Sequence, residues 1–324
     1  MPFKHFVRNP PEYNGNLILI WSRIDVITMT MRFWHFTKKP YSPWFARRSG
    51  FTLIELLTVI AVIAILAAIL LPALSKAKMR SQGIFCLNNT RQLTLAWQLY
   101  GDDHDGVLPY NLGMAGSSFR TNINWVNNVM TWDLSPDNTN PATITAASLG
   151  SYVSGATSIF HCPSDHALTG VQIAAGWDHR LRSYSMNAMV GNAGTFSASG
   201  ANVNNPGYKQ FFKATQIPQP TEIFIFVDEH PDSINDGYFL NKDWTGAYGS
   251  YDSYEWLHLP ASYHNFAAAF SFADGHASLH RWSKTTTAPA PAPYAANLPV
   301  QIPATPPGEA ADFYWIISHM SIQN

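Results

Sequence analysis

A chain of 324 residues holds one sizeable globular domain plus an appendage, and 13% charged against 14% aromatic residues suits a packed core rather than a disordered chain. The net charge of -1 hides an asymmetry: Met1 to Gly50 carries eight Lys or Arg and two acids, leaving twelve basic against nineteen acidic residues afterwards. An acidic body without a basic, aromatic-interleaved stripe after Arg91 repels phosphate and excludes nucleic-acid binding, and a chain with two cysteines excludes a four-cysteine zinc site.

In chain order, the first predicted element is a membrane span. Leu53 to Leu71 is apolar or small at all nineteen positions except Glu55 and Thr58, close to the roughly 20 residues that cross a bilayer as a helix. The run is too long for the apolar region of a cleaved secretory signal, and no small-x-small site closes it. Arg47 and Arg48 before it and Lys76, Lys78 and Arg80 after it leave orientation open. Pro72 predicts a bend rather than an end, because the helical pattern resumes. Leu93, Ala96, Trp97 and Tyr100 recur at helical spacing opposite Asn88, Asn89, Arg91 and Gln98, with Gly101 as the expected stop. Residues 51–100 therefore read as one helix about 75 Å long at about 1.5 Å per residue, whose outer half packs on a globular domain.

Residues 101–284 read as a loop-rich β head. Glu222 to Val227 predicts a strand, and Ala268 to Ala273 with His276 to Arg281 predicts a hairpin closed by a two-residue Asp274-Gly275 turn. That turn places Phe270 and Phe272 on one face with Ala277 and Leu279, and Ser271, His276, Ser278 and His280 on the other. Residues 285–310, rich in Pro and Ala, predict an extended, poorly packed connector, and 311–324 a C-terminal segment whose apolar run, Ala311 to Met320, is able to dock as a helix. Cys86 and Cys162 read either as one disulfide of an exported protein or as two separate thiols, and the sequence leaves both open.

The stretch G-F-T-L-I-E from Gly50 to Glu55, behind Arg47-Arg48-Ser49 and ahead of the apolar run, resembles the processing site of type IV prepilins and type II secretion pseudopilins. The resemblance implies an α+β, type IV pilin-like fold: a long N-terminal transmembrane helix packed on an antiparallel β-sheet head. It implies a leader, residues 1–50, cut after Gly50 by a prepilin peptidase that methylates the new amino terminus at Phe51. It also implies a single-pass inner-membrane subunit with a periplasmic head, assembling with other pseudopilins and an inner-membrane platform into a homo-oligomeric pseudopilus. A carboxylate inside a span is disfavoured without a partner, and Glu55 is expected to find one in the Phe51 amine of a neighbouring subunit. A fifty-residue leader is long for this family, so residues 1–30 are open to being an upstream misread start.

His264, nine residues and then Asp274-Gly275, together with Cys86 to Pro109, C-P-S-D at Cys162 to Asp165 and S-Y-S-M-N at Ser183 to Asn187, are similar to large pseudopilin-like proteins bearing that signature. His264, Asp274, His276 and His280 invite a metal or hydrolytic reading, but Asp-Gly is first a turn pair and no metal site is assigned to them. His161, Asp165 and His166 around Cys162 read as a structural corner. Asp228, Glu229, Asp232 and Asp236, and the run Asp102, Asp103 and Asp105, are calcium candidates by analogy with some major pseudopilins. Neither fits a spaced calcium loop, so solvated turns are the favoured reading and no cofactor is expected. No G-x-S-x-G, P-loop or H-E-x-x-H occurs, so nothing supports enzyme activity or an anchored hydrolase. The alternative is a membrane-anchored binding protein whose eleven Trp and fourteen Tyr display carbohydrate or polymer platforms.

Overall fold

A computed structural model describes residues 50–113, 121–197, 200–243, 253–284, 289–293, 299–303, 308 and 310–324; of the expected leader, 1–50, all but Gly50 lies outside the described residues. The chain divides into two units, Met1–Leu57 and Thr58–Asn324. Helix α1 spans Leu53–Asp103 and continues through Pro72. Among the described residues it is the one helix long and apolar enough to cross a membrane, and none of its most apolar stretch is buried.

Farther along α1, Gly83, Cys86, Thr90, Leu93, Thr94, Ala96, Trp97, Tyr100 and Gly101 are buried. Their spacing of three and four residues is one helix face, as the apolar stripe predicts. The expected stop at Gly101 is corrected: Gly101 lies inside the helix, which turns out through Asp105 at φ 54° and Gly106 at φ 77°. The Gly106 N–H donates back to the Gly101 carbonyl at 2.8 Å. Two consecutive left-handed residues end a helix more readily than a glycine that still fits the helical backbone.

The head is built on a five-stranded sheet of order β3-β1-β2-β5-β6, with β1 at Tyr184–Asn187, β2 at Phe224–Asp228, β3 at Tyr238–Phe239, β5 at Ala267–Phe272 and β6 at Ala277–Arg281. Every pairing is antiparallel except the edge pair β1 and β3, which is parallel, so the sheet is antiparallel as expected apart from one edge. Two short helices, α2 at Ala142–Thr145 and α3 at Gly170–Ala174, lie in the long excursion between α1 and β1, and α4 spans Ala311–Met320. Both faces of the sheet are covered. On one, Cys86, Leu93 and Trp97 of α1 pack with Tyr184, Met186, Phe226 and Ala269. On the other, Phe224, Val227, Phe270 and Phe272 pack with Phe313, Ile316, Ile317 and Met320 of α4. Double coverage explains why β2 and β5 read as continuous apolar runs and are buried at every position.

The hairpin differs from expectation by one residue. The pairs are Ala268 with His280, Ala269 with Leu279, Phe270 with Ser278 and Ser271 with Ala277. The Phe272 N–H donates to the His276 carbonyl and the Gly275 N–H to the Phe272 carbonyl, both at 2.9 Å, so Ala273 joins Asp274 and Gly275 in a three-residue loop. A one-residue shift exchanges faces. Ser278 and His280 therefore share the α4 face with Phe270, while Leu279 and Ala277 share the α1 face with Ser271, whose Oγ accepts from Thr94 Oγ1 at 2.6 Å.

Part of the expected loose connector is ordered: β7 at Val300–Pro303 pairs antiparallel with β4 at Ser253–Trp256, and Ile302 is buried. The alternation in Val300-Gln301-Ile302 is the strand signal inside the Pro-rich run.

Gly275 sits at φ 93°, and a Cβ there would lie 3.3 Å from Gln98 Nε2 on α1. Gly275→Val is expected to destabilise the head by about 1–3 kcal/mol, read as a lower Tm of the full-length chain in detergent. An unchanged Tm would count against a structural role for the turn.

Candidate processing site and buried thiol cluster

Two places gather the residues that carry chemistry, and each is described within its own unit. At the start of α1, Thr52 and Glu55 form a reciprocal cap. The Thr52 backbone N–H donates to Glu55 Oε2 at 2.8 Å, Thr52 Oγ1 donates to the same oxygen at 2.7 Å, and the Glu55 N–H donates to Thr52 Oγ1 at 3.3 Å. This T-x-x-E arrangement satisfies backbone N–H groups that open a helix without partners. The sequence contains the signature in plain form. Gly50 and Phe51 precede the helix and are exposed, with nothing within 4 Å of a Cβ placed on Gly50.

The second place lies inside the head. Cys86 comes from α1, Cys162 from the corner after the short turn Thr157–Phe160, Asp228 from the end of β2, and His264 from the segment leading into β5. All four side chains are buried, and one ligand atom of each lies within 4.8 Å of the others. His264 Nε2 is 3.4 Å from Cys162 Sγ and 3.4 Å from Asp228 Oδ2, and the Cys86 thiol donates to Asp228 Oδ2 at 3.2 Å. The Tyr184 hydroxyl donates to Cys86 Sγ at 3.1 Å. The two cysteines meet as free thiols, not as a disulfide.

The cluster's electrostatics follow from burial. Burial and a hydrogen bond with Cys162 push the Cys86 thiol well above its usual range. Burial also raises Asp228, against the pull of His264. For His264, burial alone would favour the neutral ring, but hydrogen bonds to Asp228 and Cys162 outweigh it and carry the imidazole up to about 10. Asp228 Oδ1 and His264 Nδ1 are buried without a hydrogen-bond partner. Asn265 and Phe266, directly after His264, both sit at φ 60°, an uncommon pair for residues with side chains.

The other candidates do not converge. Asp274 is taken up by its own turn, accepting from the His276 N–H at 3.1 Å and facing His276 Nδ1 at 2.7 Å. His276 stacks on Phe272 at 4.3 Å and His280 on Trp315 at 3.7 Å, so both serve packing. His264 and Asp274-Gly275, the ends of the spaced signature, therefore do separate work. Of the acidic run after β2, Asp228 joins the thiol cluster, while Glu229 accepts from Ser233 Oγ at 2.8 Å and faces His258 Nδ1 at 2.7 Å. Asp232 accepts from the Ala292 N–H at 2.8 Å and Asp236 from the Tyr238 N–H at 3.1 Å. Asp102, Asp103 and Asp105 are exposed at the end of α1, with Asp103 accepting from the Tyr152 hydroxyl at 3.0 Å. Around Cys162, His161 Nε2 pairs with the Asp165 carbonyl at 3.0 Å and Asp165 accepts from Ser183 Oγ at 2.8 Å, the expected corner, while His166 is exposed.

The long apolar helix followed by an antiparallel-rich head is an α+β arrangement that fits the type IV pilin-like fold. Comparison with curated proteins and with solved structures finds no match. Residues 45–71 match the family model of the prokaryotic N-terminal methylation motif, so the chain carries a prepilin-type cleavage and methylation motif at the head of its apolar helix.

Proposed function

We propose that the chain is a pseudopilin-like structural subunit, processed by a prepilin peptidase and assembled into a filament of the type II secretion or type IV pilus kind. The observation that carries this reading is the motif match over residues 45–71, running straight into a helix whose most apolar stretch is uncovered among the described residues. Such a helix fits a single-pass membrane anchor. Eight basic residues in Met1 to Gly50 favour a cytoplasmic leader, which puts the head in the periplasm. Cleavage after Gly50 frees the Phe51 amine for methylation. Glu55 then lies four residues after that amine and offers its carboxylate to the corresponding amine of the next subunit.

The rival, a displayed binding surface, would rest on exposed aromatic platforms. Of the seven described tryptophans none is fully exposed, and Trp97, Trp125 and Trp256 belong to the core.

Replacing Gly50 tests the proposal. Gly50 is exposed and no described residue lies within 4 Å of a Cβ placed there, so a larger side chain meets no described part of the fold and changes what the peptidase meets. Gly50→Leu is expected to leave a full-length precursor in the membrane, seen as slower migration on immunoblots of fractionated cells expressing the peptidase. Mature-sized protein at the parent's yield would overturn the assignment.

A further inference from the structure

We propose that Cys86, Cys162, Asp228 and His264 form a tetrahedral zinc site that fastens α1 to the sheet of the head. Zinc is held by cysteine sulfur at about 2.3 Å and by imidazole nitrogen or carboxylate oxygen at about 2.0–2.2 Å, so the ligand-to-ligand edges of its tetrahedron run from about 3.3 to 3.8 Å. Three edges here measure 3.4, 3.4 and 3.2 Å: Cys162 Sγ to His264 Nε2, His264 Nε2 to Asp228 Oδ2, and Asp228 Oδ2 to Cys86 Sγ. All four ligand atoms lie within 4.8 Å of one another, so only small side-chain shifts separate them from a closed shell.

The donor set is selective. Two thiolates with an imidazole suit zinc, whereas calcium and magnesium require oxygen ligands. On binding, both thiols lose their protons to solvent and His264 binds through a deprotonated Nε2, so three anionic ligands and one neutral one surround a dication. The Tyr184 hydroxyl, 3.1 Å from Cys86 Sγ, is placed to donate to the thiolate as an outer-shell group does. A cleft of about 210 Å³ bordered by Lys76, Met79, Arg80, His264, Asn265 and Leu279 reaches the ring from outside and supplies an entry path.

A Cys-His-Asp catalytic arrangement uses the same residue types but a different geometry. There the carboxylate holds one ring nitrogen and the nucleophile meets the other. Here the thiol and the carboxylate both face Nε2, while Nδ1 has no partner. Convergence on one point is what a cation asks for, and full burial of both cysteines keeps a substrate from the sulfur.

The test uses the full-length chain purified in detergent under reducing conditions, supplied with zinc, and assayed for bound metal by mass spectrometry, then exchanged with cobalt. One zinc per chain is expected, with the thiolate-to-cobalt charge-transfer band of a tetrahedral site. The chain's only cysteines are Cys86 and Cys162, so that band reports this cluster even if a variant fails to fold. Cys162→Ser and Asp228→Asn should each weaken zinc binding by more than the roughly 10–100-fold typical of outer-shell changes. No bound zinc, zinc without the thiolate band, or a Cys86–Cys162 disulfide in chain taken directly from cells would each overturn the site.

Discussion

Glu55→Gln is expected to abolish filament assembly while cleavage and membrane insertion proceed as in the parent. The cap geometry makes this substitution more informative than an apolar one. The acceptor oxygen that receives the Thr52 N–H and hydroxyl at 2.8 and 2.7 Å survives in a glutamine amide, so the start of α1 keeps its hydrogen bonds. Only the charge is lost, and losing a charge within a span eases insertion rather than hindering it. A defect in assembly then reports the missing partner for a neighbour's Phe51 amine. Thr52→Val is the complement, since it removes the hydroxyl and leaves the carboxylate, and should assemble close to the parent. The readout is the yield of crosslinked oligomer in cells with the assembly machinery, alongside the ratio of precursor to mature chain. Parent-level oligomer from Glu55→Gln, or equal loss from both variants, would show that Glu55 acts as a cap and not as a charge partner.

Arg182→Met is expected to cost the head about 3–5 kcal/mol, the range for breaking one side of a buried ionic network. Arg182 is fully buried. Its guanidinium donates to the Tyr184 carbonyl at 2.6 Å, Ser185 Oγ at 3.0 Å, Asn128 Oδ1 at 3.1 Å and the Asn235 carbonyl at 2.7 Å. Burial lowers its pKa to about 10, against the support of Glu229 and Asp236, so it stays charged at neutral pH. A methionine fills similar volume but leaves four acceptors unmet and withdraws a positive charge from the neighbourhood of Glu229 and Asp236. Against a typical total of about 5–15 kcal/mol, that loss should remove a large share of the head's stability. Arg182→Lys keeps the charge and loses the fork of donors, so it should fall between the two. Denaturant unfolding followed by tryptophan fluorescence measures the series, and a methionine variant within about 1 kcal/mol of the parent would contradict it.

The elements that could be read from sequence are those whose signal is local. The apolar span, the stripe through Leu93, Trp97 and Tyr100, and the helix at 311–320 each bury or expose a face that period and composition announce. The hairpin was legible in existence and wrong in register, because one residue, Ala273, decides between a two- and a three-residue loop and its side chain says nothing about which. A signal tied to a single residue carries more than one meaning: Gly101 fits a helix interior as well as a stop, and Glu55 closes a T-x-x-E cap besides carrying a charge. The thiol cluster was illegible for a different reason. Cys86, Cys162 and His264 were each visible, and Asp228 was grouped with its sequence neighbours Glu229, Asp232 and Asp236. Only the antiparallel pairing of β1 with β2 and β2 with β5, under the buried face of α1, brings the four to one point.

The central claim, that this chain is processed as a prepilin, is tested most directly at its amino terminus. The mature protein, isolated from membranes of cells that carry the peptidase, would be sequenced from its first residue by tandem mass spectrometry. The account predicts a chain that begins at Phe51 with a single methyl group on its amine. A chain that begins elsewhere, or retains Gly50 and the residues before it, would contradict the account.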